Sequence, residues 1–241
     1  MSRERQGDIR VVFFDAAGTL FHVKGSVGQI YLDHAVKYGV KVSPNALQQG
    51  FQRAFADSPP MAFSVAEPKQ IKACERLWWF DLVHNVFYRA GMFEGFDQYF
   101  DEVFDYFSRA DSWALYPESM ATLQALEQRG LELGVVSNFD SRLYEILIGL
   151  GIDRFFDSVT ISSIAGAAKP SPQIFQRALT KHQAAASEAL HVGDSLREDA
   201  QGAAAAGLKA LLLQREPAPV LLSGVEAIRT LTEIIAFIDK R

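Results

Sequence analysis

Cysteine is almost missing from this chain. Cys74 stands alone, so there is no internal disulfide and no Cys/His set at metal-ligand spacing, and the residue reads as packing rather than chemistry. Long apolar runs are missing too: none approaches 18 residues, and residues 1–8 are charged, with no apolar leader segment among them. Both absences predict a cytoplasmic protein without a membrane span. Positive charge is also short, with 24 Lys and Arg against 29 Asp and Glu and no basic block. A formal net charge of −5 argues against nucleic acid or an anionic membrane as partner and favours small-molecule work. Repeats, low-complexity tracts and long linkers are lacking as well, so 241 residues of ordinary composition, 49% hydrophobic, are free to form a sizeable core.

What the chain does have is a change of rhythm. From Trp113 onward, helical segments alternate with short apolar runs: helix 117–129 and strand 131–136, helix 141–150 and strand 158–161, helix 172–181 and strand 189–192, an Ala-rich helix 198–206 and strand 209–213, then a closing helix 225–240. That order is the signature of an α/β fold with a doubly wound, mostly parallel sheet. Residues 26–108 show helical periods instead. Ser43-Pro44 has the form of a helix start, and a longer helix runs from Pro68 to Gly91 carrying Ile71, Leu77, Trp78, Phe80, Leu82, Val83, Val86 and Phe87. The density of Trp78, Trp79, Phe80, Phe87 and Tyr88 reads as packing within a helical bundle, and it also offers a surface for self-association, leaving monomer and homodimer open. The expected organisation is a core of residues 1–22 and 112–241 interrupted by an all-helical cap, 23–111.

Four strand ends carry polar chemistry. Val11-Val12-Phe13-Phe14 delivers Asp15 onto a turn with Gly18-Thr19; Val135-Val136 leads to Ser137-Asn138; Lys169-Pro170 precedes a helix; Val192 leads to Gly193-Asp194-Ser195, with Asp199 five residues after Asp194. Each alone is ordinary turn composition. A parallel sheet, however, brings its carboxyl ends to one edge, where ligand crevices lie. There they assemble a carboxylate nucleophile (Asp15), a hydroxyl with loop N–H groups (Ser137, Asn138), a cation (Lys169) and carboxylates for Mg²⁺ (Asp15, Asp194), a set suited to phosphoryl transfer on a small phosphorylated molecule.

With these four motifs, and with a helical block inserted after the first, the chain resembles the haloacid dehalogenase (HAD) superfamily, in its Rossmann-like core and C1-type cap. Glu75-Arg76-Leu77-Trp78-Trp79 and Val136-Ser137-Asn138-Phe139-Asp140 resemble one branch of it. The resemblance implies Asp15, Ser137 and Lys169 as the catalytic set, Thr19, Ser137, Asn138 and Lys169 on the substrate, and Mg²⁺ held by Asp15, Asp194 and the backbone carbonyl of Ala17. It also exposes a gap. Phosphatases of the superfamily carry a second Asp where this chain has Ala17, a general acid and base typically worth about 10²–10⁴ in rate. Turnover is therefore expected to be weak or specialised.

Other readings stay open. Dehalogenases of the superfamily lack the acidic pair kept here at Asp194 and Asp199. Phosphonoacetaldehyde hydrolases share the Ala-Gly-Thr sequence but need a cap lysine, for which Lys37, Lys41, Lys69 and Lys72 are the candidates. A catalytically silent module binding a phosphorylated ligand or a protein partner is the reading from another class. His22, near the junction of cap and core, is a candidate substitute acid or a packing residue; His191 reads as structural; Tyr31 and Arg76 are candidates for substrate contact from the cap.

Overall fold

The computed structural model describes residues 9–216 and 225–240. Residues 1–8, 217–224 and 241 of the expected core lie outside the described residues.

Strand β1 (Val11–Phe14) is buried over its whole length and lies mid-sheet. After it come β2 (Phe21–Val23), helices α1 (Val27–Ala35), α2 (Pro44–Asp57), α3 (Pro68–Ala90) and α4 (Phe96–Tyr106), and β3 (Trp113–Leu115). The alternating half follows: α5 (Ser119–Glu127), β4 (Glu132–Ser137), α6 (Leu143–Gly149), β5 (Ser158–Ile161), α7 (Ser162–Ala165), α8 (Pro172–His182), β6 (Ala189–Gly193), a π-helical turn Leu196–Gln201 running into α9 (Gly202–Ala205), β7 (Lys209–Leu213), β8 (Ala227–Ile228) and α10 (Glu233–Asp239). The main sheet has the order β5-β4-β1-β6-β7-β8 and every pairing in it is parallel.

Alternation along β1 explains its two-sided burial. Val12 and Phe14 point into a core with Leu123, Leu133, Val135, Leu143 and Ile234, whereas Val11 and Phe13 face Ile174, Phe175 and Ala203 on the opposite side. On that second face, His182 stacks edge-to-face on Phe13 and bridges Ser158 Oγ (2.7 Å) to Glu132 Oε2 (2.6 Å), which fastens α8 to β4 and β5.

Helices α1–α4 have a core of their own, centred on Tyr31, Leu47, Val83, Phe87, Tyr99 and Phe100. Ser43 caps α2 and Glu67 caps α3, each accepting a backbone N–H, and both helices have proline in the first turn. Among the described residues no helix is long and apolar enough to cross a membrane.

Several sequence expectations need correction. Phe21–Val23 and Trp113–Leu115 form a separate antiparallel ribbon at the base of the helical unit; three-residue strands leave no readable period. The closing segment is a short strand followed by a helix rather than one helix from 225 to 240. The Ala-rich helix begins as a π-turn. Leu77 and Tyr88 point outward, with 60% and 71% exposure, because α3 carries apolar residues all round and only one face meets the bundle. Cys74 is half-buried.

Two buried carboxylates dock the helical unit on the sheet unit. Glu75 of α3 accepts from Ser141 N (2.9 Å), Ser141 Oγ (2.5 Å) and Ser163 Oγ (2.6 Å). Asp140, fully buried, accepts from Trp79 Nε1 (2.6 Å) and forms a two-point pair with Arg142 Nε (2.8 Å) and Nη2 (2.7 Å). Bonds to a charged acceptor contribute more than neutral ones, and donors stranded by its loss carry a desolvation penalty. Glu75→Ala is therefore expected to destabilise the protein by on the order of 3 kcal/mol, read as a lower urea midpoint at unchanged m-value; an unchanged midpoint contradicts the docking role.

Candidate active site

Asp15 leaves the end of β1 with its N–H still bonded to Val192 O (2.9 Å), so the sheet itself aims the carboxyl group. The chain then turns sharply: Leu20 N bonds Ala16 O (2.8 Å) and Gly18 N bonds Phe21 O (2.8 Å). Gly18 has φ +93°, and a Cβ there would overlap the Asp194 carboxylate, so this position requires glycine twice over. Thr19 is fully buried, and its hydroxyl donates to Asp194 Oδ1 (3.4 Å). It does not line the cavity described below; its side chain backs the Asp194 carboxyl group from behind.

Lys169 comes from the loop before α8. The carboxamide of Asn138 clamps its peptide, accepting from Lys169 N (2.7 Å) and donating to Lys169 O (3.0 Å), next to the cis bond Lys169–Pro170. Thus positioned, Lys169 Nζ lies 2.6 Å from Asp15 Oδ1 and 2.5 Å from Asp199 Oδ1, with the side chain buried. Burial alone would lower an ammonium pKa; here the charges of Asp15 and Asp199 outweigh it and hold Lys169 above its ordinary value.

The acidic groups are pushed apart. Asp199, on the π-turn, accepts from Ser195 N (2.9 Å) and faces His191 Nε2 (2.8 Å) as well as Lys169. Burial would raise its pKa, but Lys169 and His191 carry it well below the carboxylate range. Gly193 permits this contact, because a Cβ at 193 would overlap the Asp199 carboxyl group. Burial in turn lowers the pKa of His191, against the pull of Asp199. With Nε2–H given to Asp199, its Nδ1 is buried without a partner. Asp15 is raised above its usual value, by burial first and against the pull of Lys169. Asp194 reaches solvent through the cavity, yet loss of bulk water and then the charges of Asp15 and Asp199 push its pKa up to about 7.

One carboxylate oxygen from each of Asp15, Asp194 and Asp199 lies within 4.8 Å of the others. Three acids share one ammonium, and Asp199 already serves Lys169, His191 and the Ser195 N–H. The surplus of negative charge rests on Asp15 and Asp194, and a hard divalent cation with oxygen ligands fits that surplus.

These groups form the floor of a cavity of about 830 Å³ between the sheet edge and the helical unit. Asp15, Ala17, Ser137, Asn138, Lys169 and Asp194 all line it. Ser137 also lowers the pKa of Asp15 through a hydrogen bond. Opposite them stand aromatic side chains, including Trp79, which thus does more than pack the bundle. Tyr31 and His22 lie on the wall, the His22 ring 4.8 Å from that of Tyr116 and its Nδ1 2.9 Å from Val23 O. Arg76 does not line the cavity: it pairs with Asp101 over the ring of Phe100. Lys37 is paired with Glu102, and none of Lys37, Lys41, Lys69 and Lys72 lines the cavity.

His191, read from the sequence as structural, is a buried strand residue that orients Asp199. Sequence reasoning missed two neighbours of the site. Arg142 reaches the wall with its charge met by Asp140. Arg215 lies 3.5 Å over the Tyr116 ring and donates to Thr19 O (2.9 Å), a long-range contact with no spacing to announce it.

The family model described as haloacid dehalogenase-like hydrolase matches residues 9–207. The chain is 34% identical over 207 residues to haloacid dehalogenase-like hydrolase domain-containing protein 3 of Homo sapiens, covering 85% of this chain and 82% of that protein, the branch that the Glu75–Trp79 and Val136–Asp140 stretches resemble. A glyceraldehyde 3-phosphate phosphatase of Methanopyrus kandleri is 40% identical over 101 residues, 42% of this chain and 43% of that one. Among solved structures, the putative HAD-hydrolase YfnB from Bacillus subtilis, bound to magnesium, superposes with a TM-score of 0.72 at 18% identity, covering 96% of this chain and 99% of that one, which shows a shared fold. A parallel sheet with Asp15, Ser137, Lys169 and Asp194 gathered at its edge, and a family match spanning most of the described residues, lead to one conclusion: the chain belongs to the haloacid dehalogenase-like hydrolases.

Proposed function

We propose that the protein is a Mg²⁺-dependent phosphohydrolase that acts on a small phosphorylated compound through a phosphorylated Asp15, with the helical unit serving as a C1-type cap. The observation that carries this reading is the Asp15 carboxylate at the cavity floor, held 2.6 Å from Lys169 Nζ and grouped with Asp194. An oxygen of Asp15 attacks phosphorus, the bond from phosphorus to the leaving oxygen breaks, and the departing group takes the electron pair. Ser137 and Lys169 would hold phosphoryl oxygens as charge moves onto them. Water then attacks the same phosphorus, releasing inorganic phosphate and restoring the carboxylate. Asp15, Asp194 and the Ala17 carbonyl would hold Mg²⁺, which when bound neutralises charge shared by the phosphoryl group and the carboxylates.

Ala17 supplies no proton in either step. The second reading, a silent module that binds a phosphorylated ligand, draws on that alanine. The cavity's lining speaks against a Schiff-base hydrolase, because Lys169 is its only lysine among the described residues and is engaged by Asp15 and Asp199.

Incubation with acetyl phosphate and Mg²⁺ is expected to add one phosphoryl group to the wild-type protein by intact mass, and none to Asp15→Asn. Ala17→Asp is expected to shorten the life of that adduct and to raise turnover of an alkyl phosphate by about 10²–10⁴. Absence of both adduct and hydrolysis in the wild type favours the silent module.

Asp194 sets a pH dependence. Its pKa is raised from 3.8 to about 7, so its ionisation costs folded-state stability that is unaffected below the lower value and fully lost above the higher one. A cation relieves that cost only once the carboxyl group has ionised. The thermal shift produced by a fixed Mg²⁺ concentration is therefore expected to be small near pH ~5 and to grow through pH ~7. Asp194→Asn should raise the Mg²⁺-free Tm more at pH ~8 than at pH ~5 and abolish the Mg²⁺ shift.

A further inference from the structure

The wall of the cavity and the gap beside Asp15 point to the same chemistry. Above the acidic floor the lining is largely aromatic, with Phe51, Trp79, Phe104, Phe107 and Trp113 among its side chains. The lysine and arginine residues that line it, among those described, are Lys169 and Arg142, and both are committed. Lys169 serves Asp15 and Asp199. Arg142 spends its charge on the two-point pair with Asp140, donates Nη1 to Phe104 O (3.1 Å), and lies 4.1 Å over the Phe104 ring. The wall thus offers surface for a flat apolar group and, among the described residues and apart from the His22 ring, whose Nδ1 meets Val23 O, no uncommitted basic side chain for a second anion.

The missing proton donor narrows the leaving group further. An alkoxide expelled from phosphorus is a strong base and departs readily only if it is protonated as it leaves, which Ala17 cannot do. An aryloxide leaves as a stable anion and needs far less help. We propose that the substrate is an aryl phosphate, the phosphomonoester of an uncharged phenolic compound whose ring lies against the aromatic wall. This rests on Asp15 being the nucleophile, as above, and adds the identity of the group it displaces. A nucleoside polyphosphate would also leave unprotonated, but it would bring further negative charge to a wall where both cations are paired. In the first step the Asp15 oxygen-to-phosphorus bond forms as the phosphorus-to-aryl-oxygen bond breaks; the aryloxide keeps the electron pair and takes its proton from solvent. In the second, water displaces Asp15 from phosphorus, a step common to all substrates.

The test is a series of substituted phenyl phosphates and simple alkyl phosphates assayed with Mg²⁺, with acetyl phosphate labelling run alongside. For the wild type, log kcat/KM should fall steeply as leaving-group pKa rises, with alkyl esters at least about 10²-fold below p-nitrophenyl phosphate, while kcat stays nearly constant among the aryl esters. Ala17→Asp should flatten that slope by raising kcat/KM of the alkyl esters and leaving kcat/KM of p-nitrophenyl phosphate little changed, while kcat of p-nitrophenyl phosphate rises as the adduct's life shortens. Phe51→Ala should raise KM for a naphthyl phosphate by about 3- to 10-fold, and an unchanged KM overturns the placing of the ring against this wall. If Asp15 is labelled by acetyl phosphate but aryl esters are no better than alkyl esters, or are not hydrolysed, the substrate class is wrong and the nucleophile stands. If Asp15 is neither labelled nor required for turnover, the underlying reading fails.

Discussion

A single ammonium group holds the site together. Lys169 Nζ sits between the carboxylates of Asp15 and Asp199 at 2.6 and 2.5 Å, out of water, and each of the three elements around it is built to make that contact. The end of β1 presents Asp15, the π-turn after β6 brings Asp199 over a residue without a side chain, and the Asn138 carboxamide fixes the loop that carries the lysine. A buried charge without partners would be prohibitive; with two carboxylates it stays ionised and becomes the fixed point of the edge. Loss of bulk water and then the charges of Asp15 and Asp199 raise the pKa of Asp194, whereas Lys169 and His191 carry that of Asp199 down against its burial.

The division of labour follows. The sheet edge supplies the charged groups, the proposed nucleophile among them, and the helical unit supplies most of a largely aromatic wall. Ala17 lies at the boundary, a methyl group among ionisable neighbours. The Asp15–Lys169–Asp199 triad and the Thr19–Asp194 contact do not pass through residue 17, so their hydrogen bonds need no carboxyl group there. In the proposed reaction the burden falls on the leaving group, which departs without a proton from residue 17.

Much of the sheet edge was legible because the relevant signals are local. Apolar runs ending in Asp15, Ser137 and Asp194 mark strand ends, and Pro44, Pro68 and Gly91 punctuate the helices. The rest depends on pairs distant in the chain. Nothing near Glu75 announces Ser141 and Ser163, nothing near Thr19 announces that its hydroxyl turns toward Asp194, and the ribbon of Phe21–Val23 with Trp113–Leu115 joins segments on either side of the whole helical unit. Long α3 misled in another way: with apolar residues on every side, its sequence does not say that Leu77 faces water while Trp79 faces the cavity.

The docking of the helical unit through Glu75 and Asp140 has a thermodynamic consequence for recognition. Separating the two units would strip several hydrogen bonds from buried carboxylates, so the aromatic wall is assembled before a ligand arrives. A ring entering it meets a receptor whose conformational entropy has already been lost in folding. Its association should register in calorimetry as a modest negative heat-capacity change scaled to the ring's own surface, without the much larger change that accompanies coupled folding.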